Sequence, residues 1–359
     1  MIDNMEILKD LCLEFGPSGC EDNVRSRIIE LGKKLCGDIP EIKTDKMGNV
    51  IFCFKPTIEV SDSKKVMLSA HMDEVGFMIN EITDDGYLKF DTLGGIDERV
   101  LCGRCVTVGD GQKMVSGVIA SKAIHHQSAE EREKTTPVED MYIDIGAVSK
   151  EDAEKYVEIG YFGTFDSDFV VYGSDKSRYV KSKALDDRMG CAVLLLTMEK
   201  LARGVIKSGN TLYFCFTVRE ELGLSGSQVV AQRLMPDYSI VFETTAIADI
   251  VGVADSARVA DTGHGGVISL MDRSTVYNID FVRWVLELGE KNSVPVQVKR
   301  YVSGGNDAGN IHKSGLGVKT LALSVPTRYL HSPSCVAALS DYKATEDLAA
   351  LIISEWISV

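Results

Sequence analysis

The middle of this chain differs in its pattern of apolar and turn residues from the segments on either side of it. From residue 76 to residue 172, short β-prone pieces follow one another and are separated by Gly and Asp turns, as in GFMINEI, CVTVG and MYIDIGA. One short helix is predicted in this stretch, SKEDAEKYVE, with Ser149 as its N-cap. Strands of this length and spacing favour a small β-barrel or sandwich inserted into another domain.

The flanking segments show helical periodicity that alternates with apolar strands. Two helices separated by the turn GPSG open the chain, and DDRMGCAVLLLTMEKLARG, TLYFCFTV and YSIVFET illustrate the alternation after residue 172. This pattern predicts an α/β domain whose mostly parallel sheet is covered by helices on both faces. Since 359 residues exceed what one compact core usually holds, we expect a discontinuous α/β domain in residues 1–75 and 173–359, with an inserted β domain in residues 76–172.

Charge and composition exclude several classes of partner. The chain has 39 basic and 53 acidic residues, a formal net charge of −14, which argues against nucleic acid and anionic membranes as partners. No apolar run approaches the roughly 20 residues of a membrane span, and the N-terminus lacks the basic residues of a signal peptide. The nine cysteines lie mostly in apolar contexts that indicate reduced core thiols, so a cytoplasmic location is expected.

Polar residues that could bind metal follow the apolar strands at five places. Each has a simpler structural interpretation as a helix cap, a turn or a surface loop residue. Together, two histidines and several carboxylates at the ends of strands in one sheet form the ligand set expected for a pair of divalent cations. The candidates are His71 with Asp73 in SAHMDEVG, Asp186 with Asp187 in KALDDRMG, Glu220 with Glu221 in TVREELG, Glu243 in IVFETT, and His331 in RYLHSP.

Two adjacent glutamates follow the apolar strand TLYFCF. Glu220 and Glu221 could both be solvated at a strand-to-helix turn. Alternatively, one could bind metal while the other exchanges a proton with the reacting water, a division of roles that metal-assisted hydrolysis requires. His71 and Asp73 are two residues apart and face the same way on a strand, so Asp73 is predicted to orient the imidazole without itself binding metal.

The ordered set of motifs resembles the tetrahedral (TET) metallo-aminopeptidases. Members of that family are also described as glutamyl or deblocking aminopeptidases and, in older usage, as cellulase M or endoglucanase M. The resemblance covers essentially the whole chain, including the β-rich insertion after the first motif. The segments that support it are SAHMDEVGFM, KALDDRMGC, TVREELGLSG, VFETT, SGGNDAGNIH and RYLHSP.

The resemblance implies a zinc-peptidase-like catalytic domain that hydrolyses N-terminal residues from short peptides with two divalent metal ions. Zinc and cobalt are the first candidates and manganese is a third. One ion would be held by His71, Asp186 and Glu243, and the other by Asp186, Glu221 and His331, so that Asp186 bridges them. Glu220 would be the general base, and the peptide bond after Asp186 would be cis. Glu243 departs from many members, which have Asp at this position.

The resemblance also implies a homo-oligomer. Family members form dimers through the inserted β domain, and the dimers assemble into tetrahedral dodecamers that admit only short peptides. Two other functions stay open at this stage: a β-1,4-glucan hydrolase and a catalytically silent assembly subunit. Aromatic residues make up only 7% of the chain, with two tryptophans, which disfavours a sugar-binding cleft. The complete ligand set, together with Glu220, disfavours a silent subunit.

Overall fold

The structure is a computed structural model that describes residues 4–174 and 177–356. Its helices are α1 (Asn4–Leu13), α2 (Asp22–Cys36), α3 (Ala129–Glu133), α4 (Lys150–Ala153), α5 (Leu185–Ala202), α6 (Ser225–Leu234), α7 (Ile279–Lys291), α8 (Ala308–Ile311) and α9 (Leu339–Glu355). The strands are β1 (Glu41–Thr44), β2 (Val50–Phe54), β3 (Lys65–His71), β4 (Gly76–Ile82), β5 (Leu88–Leu93), β6 (Cys105–Gly109), β7 (Met114–Ile119), β8 (Ile143–Asp144), β9 (Phe162–Phe165), β10 (Val170–Ser174), β11 (Ser177–Ser182), β12 (Thr211–Thr217), β13 (Tyr238–Ala246), β14 (Gly266–Ile268), β15 (Val296–Val298), β16 (Lys319–Arg328) and β17 (Cys335–Ala338).

The predicted α/β fold with an inserted β-barrel is confirmed. The main sheet has the strand order β1-β2-β12-β3-β13-β16-β17-β11-β10, with β14 paired to β16 and β15 paired to β14. Its centre, β12-β3-β13-β16, is parallel, whereas both flanks pair antiparallel. Strands β4 to β9 close a separate barrel in the order β4-β5-β8-β7-β6-β9. The sheet is therefore mixed, and its parallel part is the central region.

Each unit has its own apolar core. Helix α5 is buried on nearly all sides, which agrees with an apolar sequence that shows almost no polar face. In the barrel, the Phe77 ring makes edge-to-face contacts with Phe90 and Phe165, with centroids 5.1 and 5.3 Å apart. Separate cores explain how the barrel can be inserted without disturbing the sheet.

Two local elements differ from the sequence expectation. The sequence STVYNIDFVRWVLELGEKN predicts a helix from Ser274. The helix α7 begins at Ile279 instead, because the side chain of Asn278 accepts the Phe281 N–H at 2.9 Å and caps it there. The polar stretch SKAIHHQSAEEREKTT, with His125 and His126, is typical of a loop. It contains helix α3, which opens on a capping box formed by Ser128 and Glu131. The spacing Ser-x-x-Glu was the available signal for this helix.

No helix among residues 4–174 and 177–356 is both long and apolar enough to cross a membrane.

Candidate active site

The central strands bring the predicted ligands to one edge of the sheet. His71 ends β3, Glu243 lies near the end of β13, and Glu220 and Glu221 follow β12. These strands are parallel neighbours, so their carboxyl ends meet at the same edge, where side chains from distant parts of the sequence can converge. Asp186 opens α5 at this edge, and His331 follows β16. All five predicted metal ligands and Glu220 line one cavity of about 350 Å³.

The ligands form two triplets that share Asp186. In the first, His71 Nε2 lies 3.3 Å from Asp186 Oδ1 and 3.6 Å from Glu243 Oε2. In the second, His331 Nε2 lies 3.3 Å from Asp186 Oδ2 and 3.2 Å from Glu221 Oε1. The donor atoms within each triplet are all within 4.8 Å of one another. The two oxygens of one carboxylate thus face two different histidines, which is the arrangement required of a bridging ligand.

The donor set fits a pair of divalent cations. Oδ1 of Asp186 and Oε1 of Glu243 are buried and accept no hydrogen bond from the described part of the chain. Buried carboxylate oxygens without a partner are energetically costly. Imidazole nitrogen and carboxylate oxygen are ligands that zinc, cobalt and manganese accept. A cation placed between these atoms would satisfy the lone pairs that now face each other.

The pKa values of the two histidines also indicate a site for positive charge. Burial alone would lower the pKa of His71, but Glu243, Asp186 and Asp73 raise that pKa well above its usual value. Burial also opposes the charged form of His331, yet Asp186 and Glu221 raise its pKa to about 11. Each triplet therefore concentrates negative charge around its histidine, which favours a positively charged group at its centre.

Burial raises the pKa of three carboxylic acids that line the cavity, Glu220, Glu221 and Glu243. The pKa of Glu220 lies well above its usual value because the group is desolvated and because Glu221 and Asp307 are nearby anions, an effect that His71 opposes. Burial likewise raises the pKa of Glu243. Several negative groups in one desolvated space need positive charge to remain ionised together.

Asp73 contacts both the first histidine and the glutamate pair. The closer partner of His71 Nδ1 is the backbone oxygen of Asp73 at 3.1 Å, while the carboxylate Oδ1 lies 3.5 Å away. If Nδ1 donates to that oxygen, the lone pair of Nε2 faces the other ligands. The carboxylate also accepts the backbone N–H groups of Glu220 at 3.0 Å and Glu221 at 3.1 Å. Asp73 therefore contacts two parts of the site.

Glu21 was missed at the sequence level as a residue of the site. Its Oε1 accepts the N–H of Arg219 at 3.2 Å, beside the two N–H groups that Asp73 accepts. Two buried carboxylates therefore hold three successive amides of the turn that presents Glu220. Arg219 has a φ of 55°, a left-handed conformation that side-chain-bearing residues seldom adopt. The sequence GPSGCE predicts a turn and a helix start, and it contains no signal for a contact some 200 residues away.

A second polar network lies behind Asp186. Lys183 Nζ contacts both carboxylate oxygens of Glu74, at 2.6 and 2.8 Å, and Thr164 Oγ1 donates to the same carboxylate at 2.8 Å. Arg188 is fully buried and donates its Nε–H to the backbone oxygen of Met72 at 2.7 Å. Because Thr164 belongs to β9 of the barrel, this network links the barrel to the segment that positions Asp186. Removing one partner of such a buried pair typically costs about 3–5 kcal/mol.

The remaining sequence candidates have structural roles or lie elsewhere. Asp187 Oδ1 accepts the Gly190 N–H at 3.0 Å, so the capping interpretation fits Asp187. The peptide bond between Asp186 and Asp187 is cis, as the resemblance implied. Cys102 and Cys105 have the CxxC spacing of some metal and redox sites, and both are free, exposed thiols. His125 and His126 are exposed and do not line the site cavity.

Comparison with known proteins agrees with this geometry. The sequence profile described as M42 glutamyl aminopeptidase matches residues 48–348. A TET aminopeptidase from the marine sediment archaeon Thaumarchaeota archaeon SCGC AB-539-E09 is 34% identical, with a TM-score of 0.91 over 98% of this chain and 96% of that chain. The TET1 peptidase of Pyrococcus horikoshii, which can assemble into a tetrahedron or a large octahedral shell, is 32% identical, with a TM-score of 0.83 over 98% of this chain and 100% of that chain.

A relative named for its activity adds to this comparison. The lysyl aminopeptidase of Pyrococcus furiosus is 29% identical over 98% of this chain and 96% of the relative. The resemblance seen in the sequence motifs is thereby confirmed, and so is the prediction of an aminopeptidase. Because the family profile spans most of the chain and these relatives align with it over nearly their whole length, this protein belongs to the M42 aminopeptidase family and is a peptide hydrolase.

Proposed function

We propose that this protein removes residues one at a time from the N-termini of short peptides and uses two divalent cations to do so. One observation carries the proposal: the two oxygens of Asp186 face two separate histidine–carboxylate triplets within a single cavity. A site for one ion would not need a carboxylate shared in this way. Zinc or cobalt is the proposed metal, with manganese as the alternative, because the ligands are imidazole and carboxylate.

The proposed ligands divide as the triplets do. His71, Asp186 and Glu243 would hold one cation, and Asp186, Glu221 and His331 the other. When bound, such a pair supplies Lewis acidity, which lowers the pKa of water and withdraws charge from a carbonyl oxygen. Glu243 replaces the aspartate found in many members, and its longer side chain still reaches within 3.6 Å of His71 Nε2.

Glu220 is the proposed general base. A carboxylate oxygen of Glu220 lies within 4.8 Å of donor atoms of both His71 and Glu221, beside the ligands but outside the two triplets that share Asp186. From there it can accept a proton from the attacking water and return it to the leaving amine. Its backbone N–H donates to Asp73 and the preceding N–H to Glu21, so the turn that presents the carboxylate is held from behind. Asp73 assists by contacting the His71 ring and this turn together.

A matched pair of peptides tests the N-terminal specificity. A linear hexapeptide should be shortened stepwise from its N-terminal end, as followed by mass spectrometry. A head-to-tail cyclic peptide of the same composition has no N-terminus and should stay intact. Fragments from the cyclic peptide, or an internal cut in the linear one, would contradict the assignment. Release of reducing sugar from a β-1,4-glucan would instead support the alternative hydrolase.

The inserted barrel is proposed to be the dimerisation domain, and the dimers to assemble into a tetrahedral dodecamer. The TET1 peptidase of Pyrococcus horikoshii, which forms a tetrahedron, covers 98% of this chain and supports this proposal. Light scattering coupled to size-exclusion chromatography should give a mass near twelve times the 39.3 kDa of the chain. A mass equal to one chain would overturn the proposed assembly, and a mass of two chains would restrict it to the dimer.

A further inference from the structure

The backbone that carries Asp186 is not held by regular helix geometry. Asp186 and Asp187 have non-helical dihedral angles at the start of α5, and Ala184 before them has a φ of 52°, in the left-handed region. A residue with a side chain stays in that conformation only where surrounding contacts hold it. Within residues 4–174 and 177–356, the carboxylate of Asp186 contacts His71 and His331, and no other side chain donates a hydrogen bond to it. The direction of this carboxylate therefore depends on how the backbone on either side is anchored.

Two buried basic side chains flank Asp186 and reach the same carboxylate. Lys183 precedes Asp186 in the chain, and its Nζ lies 2.6 and 2.8 Å from the two oxygens of Glu74. Arg188 follows Asp186, and its Nη2 lies 3.5 Å from Oε1 of Glu74. Glu74, Lys183 and Arg188 are all buried. In the part of the chain that the structure describes, no other carboxylate forms an ion pair with either basic side chain, so Glu74 connects the two sides of the Asp186 segment.

Glu74 is itself held from both domains. Its backbone N–H donates to the oxygen of Gly16 at 3.1 Å, and its backbone oxygen accepts the N–H of Ser18 at 3.1 Å, so the turn after α1 fixes its main chain. Its carboxylate accepts the hydroxyl of Thr164, which belongs to β9 of the barrel, at 2.8 Å. Glu74 and Lys183 also line a small cavity together with the three members of the second triplet. The Glu74 carboxylate therefore lies beside the ligands and connects the Asp186 segment to the turn after α1 and to the barrel.

We propose that Glu74 is a positioning residue of the metal site, which holds Lys183 and Arg188 and thereby keeps both oxygens of Asp186 directed at the two cations. This inference rests on the proposed two-metal function. A carboxylate that is already oriented loses little conformational freedom when an ion binds, whereas a mobile carboxylate must first be ordered. Because Asp186 belongs to both triplets, its orientation affects both ions. In this role Glu74 acts through Asp186 and contacts neither ion.

Glu74→Gln tests this role, because the side chains that contact the Glu74 carboxylate are all donors. Lys183, Arg188 and Thr164 direct N–H or O–H groups at it, so the amide NH₂ of glutamine would face one of them. Cobalt, added to the metal-free variant in competition with a chromophoric chelator, should bind about tenfold to a hundredfold more weakly than to the native protein, the usual cost of losing a contact that orients a ligand. Both equivalents should weaken. The visible absorption of the bound cobalt should change as well, because it depends on the geometry of the ligands.

The matched control is the same substitution in another buried ion pair. Glu346 on α9 is buried, and its Oε1 lies 2.7 Å from Nζ of Lys200, which is roughly 20 Å further along α5 than Asp186. Glu346→Gln should lower the midpoint of thermal unfolding, as Glu74→Gln should, but leave the affinity for cobalt and its absorption native. A second variant, Glu74→Asp, keeps the charge and withdraws the oxygens by about one C–C bond, so it should weaken cobalt binding less than Glu74→Gln does.

The outcomes separate the role of Glu74 from the proposed function. Native cobalt affinity in folded Glu74→Gln, or in Glu74→Asp if glutamine prevents folding, would overturn the positioning role. An equal loss of affinity in Glu346→Gln would also overturn it, because the loss would then follow from destabilisation alone. If the native protein bound no cobalt, the two-metal function itself would fail. Two equivalents in the native protein, with unchanged binding in the Glu74 variants, would refute only the role of Glu74.

Discussion

Glu220→Gln is expected to abolish turnover and to leave the metal content of the protein unchanged. Glutamine retains the shape of the side chain but cannot accept a proton from the attacking water. The loss of a general base typically costs a factor of about 10²–10⁴ in rate, so kcat should fall by about that factor, with KM changing less. Steady-state kinetics and elemental analysis of the same preparation measure both quantities.

The matched control is the neighbouring residue. Glu221→Gln alters a proposed ligand that lies 3.2 Å from His331 Nε2, so this variant should lose metal as well as activity. The two substitutions make the same chemical change at adjacent positions and are expected to differ in metal content. If Glu220→Gln lost metal and kept activity, the roles assigned to the two glutamates would be wrong.

Removal of metal by chelation is expected to eliminate peptidase activity completely, and added zinc or cobalt should restore it. The reason is that the described ligands converge on two positions, and without the Lewis acidity of ions held there Glu220 would have to deprotonate water of ordinary pKa. Elemental analysis should find two equivalents of metal per chain in the active protein. The midpoint of thermal unfolding should also fall after chelation, because an ion that binds only the folded state stabilises it.

The alternatives predict other outcomes. A glycoside hydrolase that works through two carboxylates would keep its activity in a chelator. A silent assembly subunit would show no activity with any metal. Undiminished peptide hydrolysis after exhaustive chelation would refute the two-metal proposal, and a single equivalent of metal in fully active protein would remove the bridging role of Asp186.

Much of the fold could be read from the sequence because its causes are local. The alternation of helices and strands around the centre, and the short β-prone segments in residues 76–172, follow from periodicity and turn residues that each segment contains by itself. The ligand candidates were found for a related reason: they follow apolar strands, and the carboxyl ends of parallel strands gather at one edge. The motifs then made the family recognisable.

Other parts of the site depend on contacts between distant segments and left no local signal. Glu21 was read as part of a helix start, yet it lies behind Arg219 and helps to hold the turn that presents Glu220. Glu74 and Lys183 are not among the sequence candidates, and only the folded chain pairs them in a buried network behind Asp186. Short local preferences cannot specify such pairs, because each partner is exposed and solvated in an isolated segment.

By itself, the sequence determined the two-part architecture, the five proposed metal ligands with Glu220, and the family, since all of these are expressed in residue types and their order along the chain. The tertiary structure alone decided that Asp186 faces both histidines and that two buried carboxylates hold the turn that presents Glu220. The physical reason is that distances, burial and charge pairing arise when segments far apart in sequence pack together and exclude water.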